Sequence, residues 1–438
     1  MAGLVLPSKV WRTAMLIAPV INLGNALLSL SDAMDLADRA LASHQQRTAF
    51  VAWELGKVAK LTPSAMKRVF SAALLHDVGA LTLEEKLTLH DHEVIDIDTH
   101  CILGEILFKS VPWLQPSAGI VRFHHRNWAD WDDPIDDPLV LESQIVLLAD
   151  LLERTVDRTQ YILHQRDRVT RKLVSASGTM VHPRVLDMFM VLQDREEFWL
   201  DLVSPRLYSL LLHSGPYKAV EVDLSYLRSF SEFSRDIIDL KSRFTATHSS
   251  GVAACAAVLS EMFGFSELEV ELMEIAGNFH DLGKLVVPNN ILDKVGGLTG
   301  AEIAVMKQHT YYTFTVLNSV MGLGQLAEWA AFHHEKLDGS GYPFHRTAGE
   351  LTTGARIMAA ADMFTALAED RPYRKGMGNA QIRSILRQQA NDGLLDAGVV
   401  KLLLDGVGEL AVPVREKEAR TRRSYELRFA HVLNLPPG

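Results

Sequence analysis

The sequence predicts an all-α protein built from two tandem helical domains of the same design. Apolar residues recur at the spacing of amphipathic helices along most of the 438 residues, and Gly and Pro fall between these segments. Residues 218–227 are the only stretch whose alternation suggests a strand. The third observation is a repeat, because one ordered series of histidines and aspartates occurs twice.

The overall composition is that of a globular protein, with 48% apolar and 22% charged residues. A net charge of −10 argues against binding to long nucleic acid, which needs a basic surface. Cys101 and Cys255 are the only cysteines, so no disulfide framework is expected, and a reducing compartment, the cytoplasm, fits. A small anionic ligand is compatible with this charge if metal ions or local Arg and Lys attract it.

The apolar N-terminal stretch, residues 14–30, is expected to pack inside the protein rather than cross a membrane. Pro19, Asn22 and Gly24 interrupt it, and it falls short of the roughly 20 apolar residues that a spanning helix needs. A strand or loop leading into a packed helix is therefore predicted. Amphipathic helices are predicted within residues 44–61, 143–156 and 247–264.

The repeat defines the domain organisation. Its copies lie 204 residues apart at the first His and at the His–Asp pair, 209 at the third His and the His pair, and 212 at the last Asp. Small loop insertions account for this drift. We therefore predict domains at residues 1–200 and 201–438, with the boundary near the Pro-containing segment 202–223. The first series is His44, His76, Asp77, His100, His124, His125 and Asp150, and the second is His248, His280, Asp281, His309, His333, His334 and Asp362.

The residue types in each series point to a metal site. Neutral imidazoles and carboxylates are typical ligands of divalent transition metals. A single His on an apolar helix face is more often a hydrogen-bonded core residue, but a full ordered set that occurs twice favours metal binding. Five imidazoles and two carboxylates suit a pair of ions, with iron or manganese favoured and zinc or nickel as alternatives. Two such ions can activate water for hydrolysis.

Three motifs of the second copy resemble the HD-GYP branch of the HD phosphohydrolase superfamily. These are HDLGK at residues 280–284, HHEKLDGSGYP at 333–343, and the segment 355–377. The resemblance covers about residues 223–401. It implies an all-α, metal-dependent phosphodiesterase that linearises cyclic dinucleotides and often cleaves on to the mononucleotide. Cyclic di-GMP is the default substrate, and 3',3'-cyclic GMP-AMP is a serious second one.

The resemblance also implies a role for each matching residue. The second series would ligate the metals, with Asp281 and Lys284 as catalytic residues and Lys284 contacting phosphate. Arg371 and Arg374 would contact guanine or phosphate. Tyr342 stands in a loop shaped by Gly and Pro, and we expect it to shape the substrate entrance or a surface for a signalling partner. Some members carry a Glu that supports a third metal; Phe244 stands at that position, so two ions are expected.

The first copy resembles the same superfamily with a weakened signature. All its ligand types are present, but Ala80 stands at the position of the Lys and no GYP loop follows the His pair. A second metal site is therefore an open expectation, with regulation, dimerisation or a second ligand favoured over normal turnover. Two alternatives stay open for the whole chain: a signalling module that binds a cyclic dinucleotide or a partner without turnover, and a general HD phosphohydrolase for nucleotides or alarmones. The GYP motif argues against the latter.

Overall fold

The computed structural model describes residues 18–36, 41–82, 85, 97–242, 247–369 and 375–433. Within these ranges the chain forms twenty α-helices, a few short 3-10 turns and one pair of two-residue strands. The predicted all-α class is confirmed. Among the helices so described, none combines the length and the apolar character needed to cross a bilayer.

The first half begins with strand β1 and continues in ten helices. These are β1 Ile21–Asn22, α1 Leu23–Asp35, α2 His44–Val58, α3 Pro63–Leu74, α4 Ile97–Lys109, α5 Ala118–Phe123, α6 Pro138–Thr155, α7 Ile162–Ser175, α8 Pro183–Leu192, α9 Glu196–Leu202 and α10 Leu207–Ser214.

The second half repeats this order. Its elements are β2 Glu221–Val222, α11 Leu224–Lys241, α12 His248–Phe263, α13 Glu267–Phe279, α14 Asn289–Leu292, α15 Gly300–Asn318, α16 Gly324–Ala331, α17 Thr353–Ala368, α18 Asn379–Asn391, α19 Ala397–Asp405 and α20 Val407–Leu433. The members of the His/Asp series occupy matching places, since α2 and α12 begin at the first His and α6 and α17 carry the last Asp.

The strand expected within residues 218–227 is much shorter than its alternation suggests. Only Glu221–Val222 is extended, and it pairs antiparallel with Ile21–Asn22. The carboxylate of Asp223 then accepts the backbone N–H groups of Ser225 and Tyr226, which starts α11. This N-cap ends the strand, because satisfying the first free N–H groups favours a helix from that point.

The N-terminal apolar stretch forms β1 and then α1, as expected from its sequence. Helix α1 is buried on nearly all sides because it packs against helices of both halves. Its Asn25 side chain donates to the carbonyl of Ser319, and the hydroxyl of Ser29 lies 2.9 Å from that of Ser319. These contacts join the first half to the end of α15.

Helices of each half pack on helices of the other, around one continuous apolar core. Helix α15, which carries His309, packs against α1 of the first half. Helix α4, which carries His100, packs against α11 and α20 of the second half. Residues 183–214 pack on helices of the first half. The domain boundary at residues 200 and 201 stays a prediction.

Candidate metal centres

A glycine turn brings the His–Asp pair of each half against the helix that carries the third His. In the second half α13 ends at Phe279, and a 3-10 turn follows at Leu282–Val286. A Cβ on Gly283 would lie 1.9 Å from the carbonyl oxygen of His309. A Cβ on Gly79 would lie 2.0 Å from the carbonyl oxygen of His100. Only glycine permits this approach, so both copies are built by the same contact.

The structure brings all seven residues of the second series into one centre, in which six are buried and the side chain of His334 is 33% exposed. One atom each of His248, His280 and Asp281 lies within 4.8 Å of the others, and the same holds for His309, His333 and His334. The two carboxylates lie between these groups. Asp281 is 3.1 Å from Nε2 of His280 and 3.6 Å from Nε2 of His309. Asp362 is 3.2 Å from Nε2 of His248 and 3.8 Å from Nδ1 of His334.

Backbone carbonyls fix which ring nitrogen faces the centre. Nδ1 of His280, His309 and His333 each donates to the carbonyl three residues earlier, at 2.7–2.8 Å. In a neutral ring Nε2 is then an acceptor only. Yet Nε2 of His309 lies 3.3 Å from Nε2 of His333, and the buried Nε2 of His280 makes no hydrogen bond with any described residue. A cation between these lone pairs resolves the conflict, so the residues fit a divalent metal.

The electrostatics of the centre match what metal ligands need. Burial alone would raise the pKa of the Asp281 carboxyl, but His280 and Lys284 hold it well below its usual range. Burial lowers the pKa of His334 to about 3 and that of His333 well below its usual value. At neutral pH these carboxylates are charged and these imidazoles neutral, which is the ligating form of each. His248 differs, because Asp362 and Glu369 overcome burial and raise its pKa to about 9.

Lys284 and Tyr342 lie at the edge of this centre. Nζ of Lys284 is 2.5 Å from Oδ2 of Asp281, and its side chain is 17% exposed. The Tyr342 ring lies 5.0 Å from the His334 ring, and Nζ of Lys307 lies over the Tyr342 ring at 5.0 Å. Arg371, Arg374 and Phe244, which the sequence analysis singled out, lie outside the described residues.

Hydrogen bonds to the Glu335 carboxylate fix the loop that carries Tyr342. This buried carboxylate accepts the backbone N–H groups of Phe344 and Arg346 at 2.7 and 2.9 Å. A Cβ on Gly341 would lie 2.4 Å from Cα of Glu335, so the loop crosses close to that residue. Phe344 also packs on Phe332. The loop therefore presents Tyr342 from a defined position beside His334.

Two acidic residues that the sequence analysis missed lie beside the first histidine of each series. In the first half Oε2 of Glu153 lies 2.5 Å from Nδ1 of His44. In the second half Oε2 of Glu369 lies 3.3 Å from Nδ1 of His248. Glu153 stands three residues after a predicted ligand on the same buried helix, which was a usable signal. Glu369 is the C-cap of α17, where helical periodicity ends, and no sequence pattern pointed to it.

The first series is also brought together. Two groups of ligand atoms form, and Asp77 belongs to both: one contains His44 and His76, and the other contains His100, His124 and His125. Oδ1 of Asp150 lies 3.5 Å from Nε2 of His44. No residue of this series is misplaced.

Fold and site together define a helical protein with paired His/Asp centres. Residues 232–399 match the family model described as HD domain. This match and the relatives below confirm the recognition that the HD-GYP motifs indicated.

Relatives named for their activity match the chain to different extents. The 3'3'-cGAMP-specific phosphodiesterase 1 of Vibrio cholerae serotype O1 is 27% identical over 394 residues, covering 88% of this chain and 91% of that protein. The cyclic di-GMP phosphodiesterase response regulator RpfG of Xanthomonas campestris pv. campestris is 37% identical over 160 residues, covering 35% of this chain and 41% of that protein. The crystal structure of a V. cholerae cyclic GMP-AMP specific phosphodiesterase, V-cGAP3, shares the fold with a TM-score of 0.63 at 21% identity, covering 89% of this chain and 98% of that one.

Proposed function

We propose that this chain is a metal-dependent phosphodiesterase that opens a cyclic dinucleotide to the linear dinucleotide at the centre of its second half. The observation that carries the proposal is the convergence of the seven ligands of the second series, with the Lys284 ammonium beside Asp281. A linear product that fits the same centre could be cleaved again to the mononucleotide. The predicted enzyme class agrees with the names of the relatives.

Two divalent ions, iron or manganese first and zinc or nickel as alternatives, suit this mixture of imidazoles and carboxylates. When bound, such a pair supplies a hydroxide nucleophile at neutral pH and takes up charge on the phosphate oxygens. The protein's share is to hold the ligands rigid. The carbonyl partners of His280, His309 and His333 do this by fixing each ring's tautomer and direction.

Side chains at the rim supply the contacts to substrate. Lys284 stands partly exposed beside the Asp281 carboxylate, so its ammonium can contact a non-bridging phosphate oxygen. The Tyr342 ring beside His334, with Nζ of Lys307 over it, offers aromatic and cationic contacts to a base or a phosphate. Arg371 and Arg374 are proposed as further guanine or phosphate contacts.

We place 3',3'-cyclic GMP-AMP ahead of cyclic di-GMP, the default of the sequence analysis. The relative whose match spans 88% of this chain, both halves included, is named for cGAMP. The match to the relative named for cyclic di-GMP spans only 35% of this chain.

A partner protein at the Tyr342 loop and a homodimer stay predictions, which light scattering with and without candidate partners can test.

The test is chromatography of products after the manganese- or iron-loaded chain has been incubated with each dinucleotide. We expect linear product from both, faster from cyclic GMP-AMP, and none from His280→Ala or Asp281→Ala.

Lys284→Ala should keep its metal while the rate falls about 10²–10³-fold, as for the loss of one charge-stabilising group. His213→Ala, an exposed histidine on α10, is the matched control. Tight binding of intact dinucleotide by the metal-loaded wild type, without product, would make the chain a binding module instead.

A further inference from the structure

We infer that the first half holds a second two-metal site, separate from the proposed catalytic centre, with Ala80 at the position that corresponds to Lys284. The site consists of the first His/Asp series. It lies outside the residues that match the HD domain model, which begin at residue 232. The ligand it would take is a pair of divalent transition-metal ions.

The shared carboxylate of Asp77 is the first argument. Its Oδ2 lies 3.2 Å from Nε2 of His76 and 3.7 Å from Nε2 of His44. Its Oδ1 lies 3.7 Å from Nε2 of His100 and 3.8 Å from Nε2 of His124. One carboxylate thus faces two groups of imidazoles through different oxygens, as a ligand that bridges two ions does.

The direction of the imidazole lone pairs is the second argument. Nδ1 of His76 donates to the carbonyl of Ala73 at 2.9 Å, and Nδ1 of His124 donates to that of Val121 at 2.6 Å. Their Nε2 atoms are therefore acceptors when the rings are neutral. They nevertheless lie 3.3 Å from Nε2 of His44 and 3.4 Å from Nε2 of His100, respectively. Two neutral rings would place lone pair against lone pair here, whereas two imidazoles that ligate one metal ion stand at such a distance.

Two buried polar atoms of the site have no hydrogen-bond partner among the described residues. They are Oδ1 of Asp77 and Nε2 of His125. Burying such atoms without a partner is unfavourable, so native proteins rarely do so without an ion or water. Both residues belong to the group that contains His100 and His124. A metal ion in that group would satisfy both.

The cations around the site are arranged differently from those of the second half. Arg154 donates to Oδ2 of Asp150 at 2.7 Å, which leaves Oδ1 toward His44 and His76. Ala366 stands at the matching position of the second half, and Ala80 stands where the second half has Lys284. The second half thus has its positive charge, Lys284, at the turn after the His–Asp pair, whereas the first half has Arg154 beside the Asp150 carboxylate. The site has all seven candidate ligands, with an alanine at the position that in the second half supplies the ammonium beside Asp281.

Metal counting on the full chain tests this inference. The chain is stripped, loaded with Mn²⁺, freed of unbound ions and analysed by inductively coupled plasma mass spectrometry. We expect about four ions per chain in the wild type, about two in the matched double variants H76A/D77A and H280A/D281A, and almost none in the combined variant. A wild type with about two ions, all of them lost in H280A/D281A, would reduce the first series to a hydrogen-bonded core cluster.

The decisive protein is H280A/D281A, because it leaves the first series intact and does not depend on the folding of a first-half variant. Its remaining manganese should give the electron paramagnetic resonance signal of a coupled pair. Adding His125→Gln, which removes a ligand nearer the surface, should abolish the coupling while circular dichroism shows an unchanged helix content. An uncoupled signal before that substitution would contradict a two-metal site. Product chromatography on the same wild-type preparation reports separately on the proposed function, since an inactive chain with about four ions would sink that function alone.

Discussion

At the scale of single residues, an acidic side chain lies beside the first histidine in each half, but the two acids stand at different positions of the repeat. Glu153 stands three residues after Asp150, and the position three residues after Asp362 is Thr365. The second half compensates with Glu369, whose Oε1 also accepts the hydroxyl of Thr247 at 2.8 Å. The orientation of His248 is thus held from the end of α17 rather than from its interior.

Glu369→Gln should weaken metal binding without unfolding the chain. The amide keeps the size of the side chain but removes the negative charge beside Nδ1 of His248. Loss of such a supporting group typically lowers metal affinity about 10–100-fold. Competition with a metal-binding dye measures the change, and Glu416→Gln on the exposed face of α20 is the control. Equal affinities of the two variants would mean that His248 needs no acid behind it.

A second residue-scale prediction concerns the pH dependence of stability. The carboxyl of Asp239 is buried, which raises its pKa to about 8, and Ser249 donates to it at 2.9 Å. Because this pKa exceeds that of the unfolded chain, the native state binds the extra proton, and the free energy of unfolding falls as pH rises from about 4 to about 8. The slope from this group is about 1.4 kcal/mol per pH unit.

Asp239→Asn should flatten that slope, since an amide of the same shape cannot titrate. Urea unfolding of the metal-loaded protein at pH 6 and pH 8 provides the comparison. We expect the wild type to lose more stability between these two values than the variant does. Parallel losses in both proteins would show that Asp239 is already ionised at pH 6.

At the scale of elements, the glycine turns after the His–Asp pairs allow each centre to close. Gly283→Ala should push the turn away from α15 and separate Asp281 from His309, so metal binding by the second centre should fall. Gly79→Ala should do the same to the first centre alone. Overpacking of this kind typically costs about 1–3 kcal/mol of stability.

Metal counting distinguishes the two glycine variants, because each should lose the ions of its own half. Gly297→Ala is the control, since a Cβ there meets nothing within 4 Å. Equal losses from both centres in either variant would show that the turns do not act locally.

The sequence was informative at the scale of elements where periodicity and order carry the signal. The helical class and the matching places of the His/Asp series follow from apolar spacing and from the repeat. The strand at Glu221–Val222 was overestimated because an Asp223 cap competes with the alternating pattern. Glu369 and the crosswise packing of α1 on α15 depend on tertiary contacts that no local pattern encodes.

At the scale of the whole molecule, one core joins both halves, and they should unfold together. Leu27 on α1 is fully buried in that core. Leu27→Ala should cost about 2–5 kcal/mol through the cavity it leaves. Differential scanning calorimetry should show one transition, shifted to lower temperature as a whole.

Leu427→Ala is the control for this experiment, because Leu427 is 77% exposed. Its transition should coincide with that of the wild type. Two separate transitions, with only the earlier one moved by Leu27→Ala, would mean that the halves are thermodynamically independent.

The crosswise packing of α1 and α15, and of α4 with α11 and α20, has an evolutionary consequence. Each half covers apolar surface of the other. Losing one half would therefore expose that surface of the remaining half to solvent. Selection for activity in one half therefore also preserves the shape of its sibling. Positions of the sibling outside the shared core and outside its metal ligands are freer to change, and Ala80 is one such position.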